Sequence, residues 1–176
     1  MGAETPGDWT FTVGVIAKRA DQMDVYQILM RDHRLTEQIF SDLENTTAAE
    51  LERRERLFEN LRKGLEDHSV VEEEIFYPEI DKLSATKELV ADAFDKHAEF
   101  DAILQEIGEL STNKDEWLER VCELRGLVQE HIRKEEDRIF PAARRLLEET
   151  RAVELGRQIA RRKAETARSV IGATGS

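Results

Sequence analysis

The stretch Leu61-Arg62-Lys63-Gly64-Leu65-Glu66-Asp67-His68-Ser69-Val70-Val71-Glu72-Glu73-Glu74-Ile75-Phe76-Tyr77-Pro78 returns later as Leu124-Arg125-Gly126-Leu127-Val128-Gln129-Glu130-His131-Ile132-Arg133-Lys134-Glu135-Glu136-Asp137-Arg138-Ile139-Phe140-Pro141. In both copies a His is followed by an acid four residues on, a second acid five on and a Pro ten on. A weaker echo links Asp32-His33 with Glu37 to Lys96-His97 with Asp101. The offsets agree, since 131 minus 68 is 63 and 97 minus 33 is 64. The chain reads as two copies of one helical hairpin.

Outward from the repeat, apolar residues recur three and four apart, and Gly (9) and Pro (3) are scarce, which predicts helices throughout and no strands. A first helix runs from an N-cap at Asp24 to Glu44, with Ile28, Leu35, Ile39 and Leu43 on one stripe. A second opens on a capping box, Thr47-Ala48-Ala49-Glu50, whose side chains should satisfy reciprocal backbone donors. It should reach Tyr77, where Pro78 removes a donor. A third spans Ser84 to Leu110, and a fourth opens at Asn113-Lys114-Asp115-Glu116 and ends at Phe140 before Pro141. Short connections between such helices predict an all-α, up-down-up-down antiparallel four-helix bundle. Ala142 to Glu149 and Val153 to Ser169 predict one or two additional C-terminal helices. The expected division is an N-terminal extension 1–22, a bundle domain 23–141 and a C-terminal helical extension 142–176, with residues 1–22 and 172–176 loosely held.

With 26 Lys plus Arg against 38 Asp plus Glu in 176 residues, the net charge of −12 speaks against non-specific nucleic-acid binding, because phosphates are repelled. From Arg151 onward six bases meet two acids, +4, leaving 20 bases and 36 acids, −16, before it. The simplest reading packs a basic terminal helix on an acidic body. A single Cys, Cys122, excludes an internal disulfide or a multi-Cys zinc ribbon and suggests a reducing compartment. No apolar run approaches the ~18 residues of a membrane span, and Met1 to Asp8 has no cationic start, so a cytoplasmic, non-membrane protein is expected.

All four histidines carry an acid at i+4: His33 with Glu37, His68 with Glu72, His97 with Asp101, His131 with Glu135. With 38 acids in 176 positions, chance gives this roughly once in 500 sequences. On a helix, i and i+4 lie about 40° apart, so each pair presents an imidazole and a carboxylate on one face. One such pair is ordinarily a surface interaction of a few tenths of a kcal/mol. Here apolar neighbours, Met30, Leu65, Phe94 and Val128 at i−3 and Phe40, Ile75 and Leu104 at i+7, turn the histidines into the bundle. Four imidazoles and two or more carboxylates buried among Leu, Phe and Val would cost several kcal/mol per unpaired charge, a cost that two metal ions remove. Facing helices supplying carboxylates and Glu/His pairs suit iron or manganese, whereas zinc would leave donors unused.

At these residues the sequence resembles the hemerythrin family, specifically the bacterial HHE cation-binding domains, from about Asp24 to Pro141. The motifs are Tyr26-Gln27-Ile28-Leu29-Met30-Arg31-Asp32-His33, His68-x-x-x-Glu72-Glu73-Glu74-Ile75-Phe76-Tyr77-Pro78, Lys96-His97, and His131-x-x-x-Glu135-Glu136 ending in Ile139-Phe140-Pro141. The tail Glu154-Leu155-Gly156-Arg157-Gln158-Ile159-Ala160-Arg161-Arg162-Lys163 looks like the one that often follows these domains. The resemblance implies an oxo- or hydroxo-bridged di-iron centre, two iron ions ahead of manganese, with His33, His68, His97 and His131 as terminal ligands and Glu72 and Glu135 bridging. Oxygen-carrying members have a fifth histidine where this chain has Asp101, which is carried as a further candidate ligand, with water-holding or no role as alternatives. They also place the last bridging acid five residues after its His, which here is Glu136. On a regular helix i+5 lies about 140° from its His, so Glu135 is chosen unless a bulge re-aims the turn. Glu37 is a weaker candidate. Tyr77, about 180° from His68, reaches the site only if Pro78 distorts the helix end. Tyr26 shares the His33 face and is the better candidate to stand behind the ligands, with an ordinary core tyrosine as its simpler reading. Cys122 reads as a small core or boundary residue.

The function this implies is binding of, and reaction with, dioxygen or peroxide, as a sensor, a peroxide-consuming enzyme or an oxidase. The alternative is oxygen, nitric oxide or iron handling without turnover. The sequence leaves open the physiological ligand and whether bundles pair as homodimers.

Overall fold

A computed structural model describes residues 23–82 and 84–173, with side chains as far as Arg168. The expectations for residues 1–22 and 174–176 lie outside the described residues, while Gly172 and Ala173 continue the last helix. The chain is all-helical among those residues. Helix α1 spans Val25–Glu44, α2 Leu51–Val71, α3 Tyr77–Ile80, α4 Lys87–Glu109, α5 Asp115–Lys134, α6 Phe140–Arg144 and α7 Glu149–Ala173. Single π turns, Glu72–Phe76 and Glu135–Ile139, join α2 to α3 and α5 to α6, so each pair is one long bent helix. With α1 and α4 these build the four-helix bundle, and α7 lies along it as an additional fifth helix.

Asp24 caps α1 in a full capping box. Its carboxylate accepts from the Gln27 N–H at 2.8 Å, and the Gln27 side chain accepts from the Asp24 N–H at 3.0 Å. The box at Thr47 forms only by half. The Thr47 N–H and hydroxyl both donate to the Glu50 carboxylate, at 2.8 and 3.0 Å, while the Glu50 N–H bonds the Thr47 carbonyl. Helix α2 consequently begins one turn later, at Leu51. Asn113 does not cap α5, because a turn from Ser111 to Lys114 carries the chain past it.

Neither proline ends its helix. In each π turn the N–H of Tyr77 or Phe140 bonds a carbonyl five residues back, at Glu72 or Glu135. Pro78 and Pro141 then fall in the first turn of the following α segment, where a missing N–H costs nothing.

The core has two apolar halves. One gathers Val25, Ile28, Leu29, Phe76, Ile80, Phe140, Leu155 and Ile159, and the other Phe40, Leu43, Leu61, Ile107, Trp117, Val121 and Leu124. On every bundle helix the histidine stands between them, His33 between Leu29 and Phe40 and His68 between Leu65 and Val71, so the four imidazoles form a polar layer sandwiched by hydrocarbon. The expected stripe on α1 needs correction at Leu35, which is 57% exposed, because the inward face runs through Leu29, His33, Thr36 and Phe40. Phe94 is 40% exposed and packs edge-on against Tyr77 rather than filling the core.

The C-terminal region forms one long helix. Ala152, Leu155 and Ile159 enter the first core half, and Arg151, Arg162 and Lys163 pair with Glu79, Glu74 and Asp32 at 2.9, 2.8 and 2.5 Å. The basic tail thus packs on the acidic body. Gly156 permits the contact, since a Cβ there would meet the Met23 carbonyl oxygen at 2.2 Å. Among the described residues no helix is long and apolar enough to cross a membrane.

Candidate metal centre

Helices α1 and α4 each deliver one histidine, and α2 and α5 each deliver a histidine and, one turn on, a glutamate at the first position of the π turn. All six side chains are buried. His33 Nε2 lies 3.2 Å from His68 Nε2, and His97 Nε2 lies 3.2 Å from His131 Nε2. Glu135 Oε2 stands 3.1 Å from His33 Nε2 and 3.5 Å from His131 Nε2. Glu72 Oε2 stands 3.3 Å from His68 Nε2 and 3.4 Å from His97 Nε2. Each carboxylate therefore reaches both histidine pairs.

This donor set fits metal better than it fits a hydrogen-bonded core. Among the described residues Glu72 Oε1 and Glu135 Oε2 are buried without a hydrogen-bond partner, an arrangement that costs several kcal/mol for a charged group unless something else neutralises it. Nitrogen and oxygen atoms facing one another at 3.1–3.5 Å match donors on one cation, since two bonds of about 2.1 Å at right angles end about 3 Å apart. Four donor atoms, from His33, His68, Glu72 and Glu135, lie within 4.8 Å of one another, as do three from Glu72, His97 and His131.

On His33 and His97 the opposite ring nitrogen is held by an acid. Glu136 Oε1 accepts from His33 Nδ1 at 2.8 Å, and Glu73 Oε1 accepts from His97 Nδ1 at 2.7 Å. These are the acids five residues after His131 and His68, and each supports a histidine of the other hairpin. Such a bond fixes the proton on Nδ1 and turns Nε2 inward as a donor. Burial disfavours a charge on His33, but Glu135, Glu72 and Glu136 outweigh it and lift its pKa to about 9. His97 is lifted to about 9 in the same way, by Glu72, Glu73 and Glu135 against its burial. Burial dominates at His131 and lowers its pKa. Glu135 is also buried, yet His131, His33 and His68 hold its carboxyl below the usual range.

Tyr77 is the residue that helical-wheel reasoning undervalued. The π turn re-aims it, and its hydroxyl lies 2.6 Å from Glu135 Oε1 and 3.1 Å from Glu72 Oε2. Burial, then the two carboxylates, raises its pKa well above that of a free phenol, so it stays protonated as a donor. The Tyr77 ring stacks on His97, as Phe140, its counterpart in the repeat, stacks on His33. The available signal was the pairing of an i+4 acid with a Pro at i+10, which a wide turn accommodates. Tyr26 follows its simpler reading as a core tyrosine rather than standing behind the ligands: it packs between Phe76 and Phe140 under the Arg144 guanidinium, and its buried hydroxyl has no hydrogen-bond partner among the described residues.

Asp101 is not brought to the cluster. It is exposed beside Leu104 and Gln105, because α4 turns His97, Phe100 and Leu104 inward and the i+4 position outward. Glu37 also stays away, bonded to Arg125 and Gln129 at 3.1 Å each. Cys122 is exposed. Against the four imidazoles, a narrow cavity lined by Thr36, Leu65, Ser69, Phe100, Val128 and Ile132 has room for about one water-sized molecule.

Residues 24–143 match the hemerythrin HHE cation binding domain family, and the chain belongs to that family. It is a cation-binding helical bundle whose buried His/Glu cluster is suited to a metal centre. The fold is similar to the crystal structure of a hemerythrin HHE cation binding domain-containing protein from Mycobacterium kansasii, with a TM-score of 0.74 and 20% identity over 88% of this chain and 94% of that one. A relative from Nostoc sp., described as a DNA nickase, is 27% identical over 125 residues, 69% of this chain. The chain spans about a third (34%) of that curated relative's length.

Proposed function

We propose that this is a cytoplasmic di-iron protein that binds and reacts with dioxygen or peroxide, with His33, His68, His97 and His131 as terminal ligands and Glu72 and Glu135 as bridges. The observation that carries the reading is the pair of 3.2 Å imidazole contacts joined by two carboxylates, each of which has an oxygen without a hydrogen-bond partner. Six nitrogen and oxygen donors shared between two positions suit iron, which can also leave a position for a small molecule. Held by these six residues, a pair of ferrous ions would supply the two electrons needed to reduce dioxygen or peroxide.

The chain's own residues set the conditions. The two apolar core halves exclude bulk water and keep the imidazoles in a low-dielectric layer. The cavity beside Thr36 and Ser69 limits the reactant to a few atoms and argues against a large organic substrate. Glu73 and Glu136 hold protons on His97 and His33 Nδ1. Tyr77 holds a proton at its hydroxyl, between the two carboxylates.

The same small cavity favours a second reading, in which oxygen, nitric oxide or iron is held without turnover. DNA cleavage is not carried over from the Nostoc protein, because the match covers only a third of it and a −12 chain repels phosphates. The test is metal content and the optical spectrum as the reduced, iron-loaded protein meets air, followed by a peroxide assay. Two irons per chain, near-ultraviolet charge-transfer bands on exposure to air and rapid peroxide consumption support the first reading. A visible band that fades when oxygen is removed, with peroxide left intact, supports the second. No bound iron contradicts both.

A further inference from the structure

The inner shell of the centre is nearly symmetric between the hairpins, but the groups behind it are not. Asp32 Oδ2 lies 3.7 Å from His68 Nδ1, a buried nitrogen that makes no hydrogen bond among the described residues and faces this carboxylate at ion-pair distance. The same oxygen receives the Lys163 ammonium at 2.5 Å. Lys163 belongs to α7, outside the duplicated hairpins, and neither it nor Asp32 is fully open to solvent, at 23% and 11% side-chain exposure. In the second hairpin the residue before the histidine is Lys96, which bonds Glu99 at 2.6 Å. Among the described residues no acid stands against His131 Nδ1. The donors are unequal too, four converging around His33 and His68 and three around His97 and His131.

A carboxylate behind a metal-binding imidazole orients the ring and makes it a better donor, and losing such a group typically costs about 10–100-fold in metal affinity. From this asymmetry we infer that the His33/His68 position is the tighter of two unequal metal positions, and that Lys163 of the C-terminal helix makes it so by holding Asp32 against His68. Lys163 and Asp32 are positioning residues and touch no metal themselves. The inference rests on the reading of the four histidines as ligands, and it makes the C-terminal helix, whose Leu155 and Ile159 already complete the core, part of how tightly the centre holds metal.

The test is anaerobic titration of the metal-stripped 176-residue chain with Co²⁺, a redox-quiet probe, followed by visible absorption and calorimetry. The expected result for the unaltered chain is two binding steps separated by about 10-fold or more. Lys163→Met and Asp32→Asn should each weaken the tighter step by about 10-fold and leave the weaker one unchanged, and Lys163→Arg should preserve both. Because the two weakening variants lie on different helices, a folding defect in one, seen as a lowered melting temperature, still leaves the other to decide. Two equal steps, or a tighter step indifferent to both variants, overturn the inference and leave the metal centre standing. No Co²⁺ binding by the unaltered chain contradicts the metal centre itself.

Discussion

The first hairpin, α1 with α2, and the second, α4 with α5, offer the interior the same groups: two histidines and one glutamate each, carried on the same helical positions. Behind those groups they differ. The first has Asp32 before its histidine and Tyr77 after its π turn, and it is covered by α7. The second has Lys96 and Phe140 at those places. The repeat thus accounts for the shared cluster, and under the proposed two-metal reading the differing surroundings are what would set the two positions apart. One support kept its symmetry, since Glu73 and Glu136 each cross to the other hairpin's histidine.

The largest effect should come from breaking the shared element. Glu72→Ala or Glu135→Ala removes a group that reaches both histidine pairs, so each should release both metals, with affinity falling by more than about 100-fold. Metal analysis of the purified variants checks this, and loss of one metal only would show that the carboxylates do not bridge. Removing both metals from the unaltered chain should lower the melting temperature by roughly 10–20 °C, given about 5 kcal/mol of linkage from two sites at metal a hundredfold above its dissociation constant.

Smaller changes sharpen the comparison. Glu73→Gln and Glu136→Gln act at equivalent places, so each should weaken metal binding by about 10-fold and by similar amounts, measured by competition with a chelator. Tyr77→Phe copies the second hairpin's Phe140 into the first. It should cost about 1–2 kcal/mol in chemical denaturation, retain two metals and change the rate at which the reduced protein oxidises in air. In the chelated protein, His33 and His97 are protonated up to about pH 9, against an ordinary 6.5. Their stabilisation is complete below pH 6.5, where folded and unfolded chains both bind the protons, and it is lost as pH rises towards 9. Denaturation midpoints of the chelated chain should therefore fall across that window, and metal loading at pH 7.5 should release protons.

Much of this was legible in the sequence because period and repetition are local. The capping residue Asp24, the four inward histidines and the choice of Glu72 and Glu135 follow from helical geometry and from the repeat. Three features did not. The π turns shift the register after Glu72 and Glu135, so Tyr77, assigned to the far side by a regular helix, lands on the carboxylates. Asp101 shares the i+4 spacing, but α4 has no acid-bearing π turn, and its rotation is set by Phe100 and Leu104 turning inward. The Lys163 contact spans 131 residues, and no local pattern encodes it.

The most direct test of the central claim is anomalous diffraction at the iron edge from crystals of the iron-loaded protein. Two peaks are expected, one beside His33 and His68 and one beside His97 and His131, with Glu72 and Glu135 between them. A single peak, or peaks only on the acidic surface, would contradict a two-metal centre built by the two hairpins together.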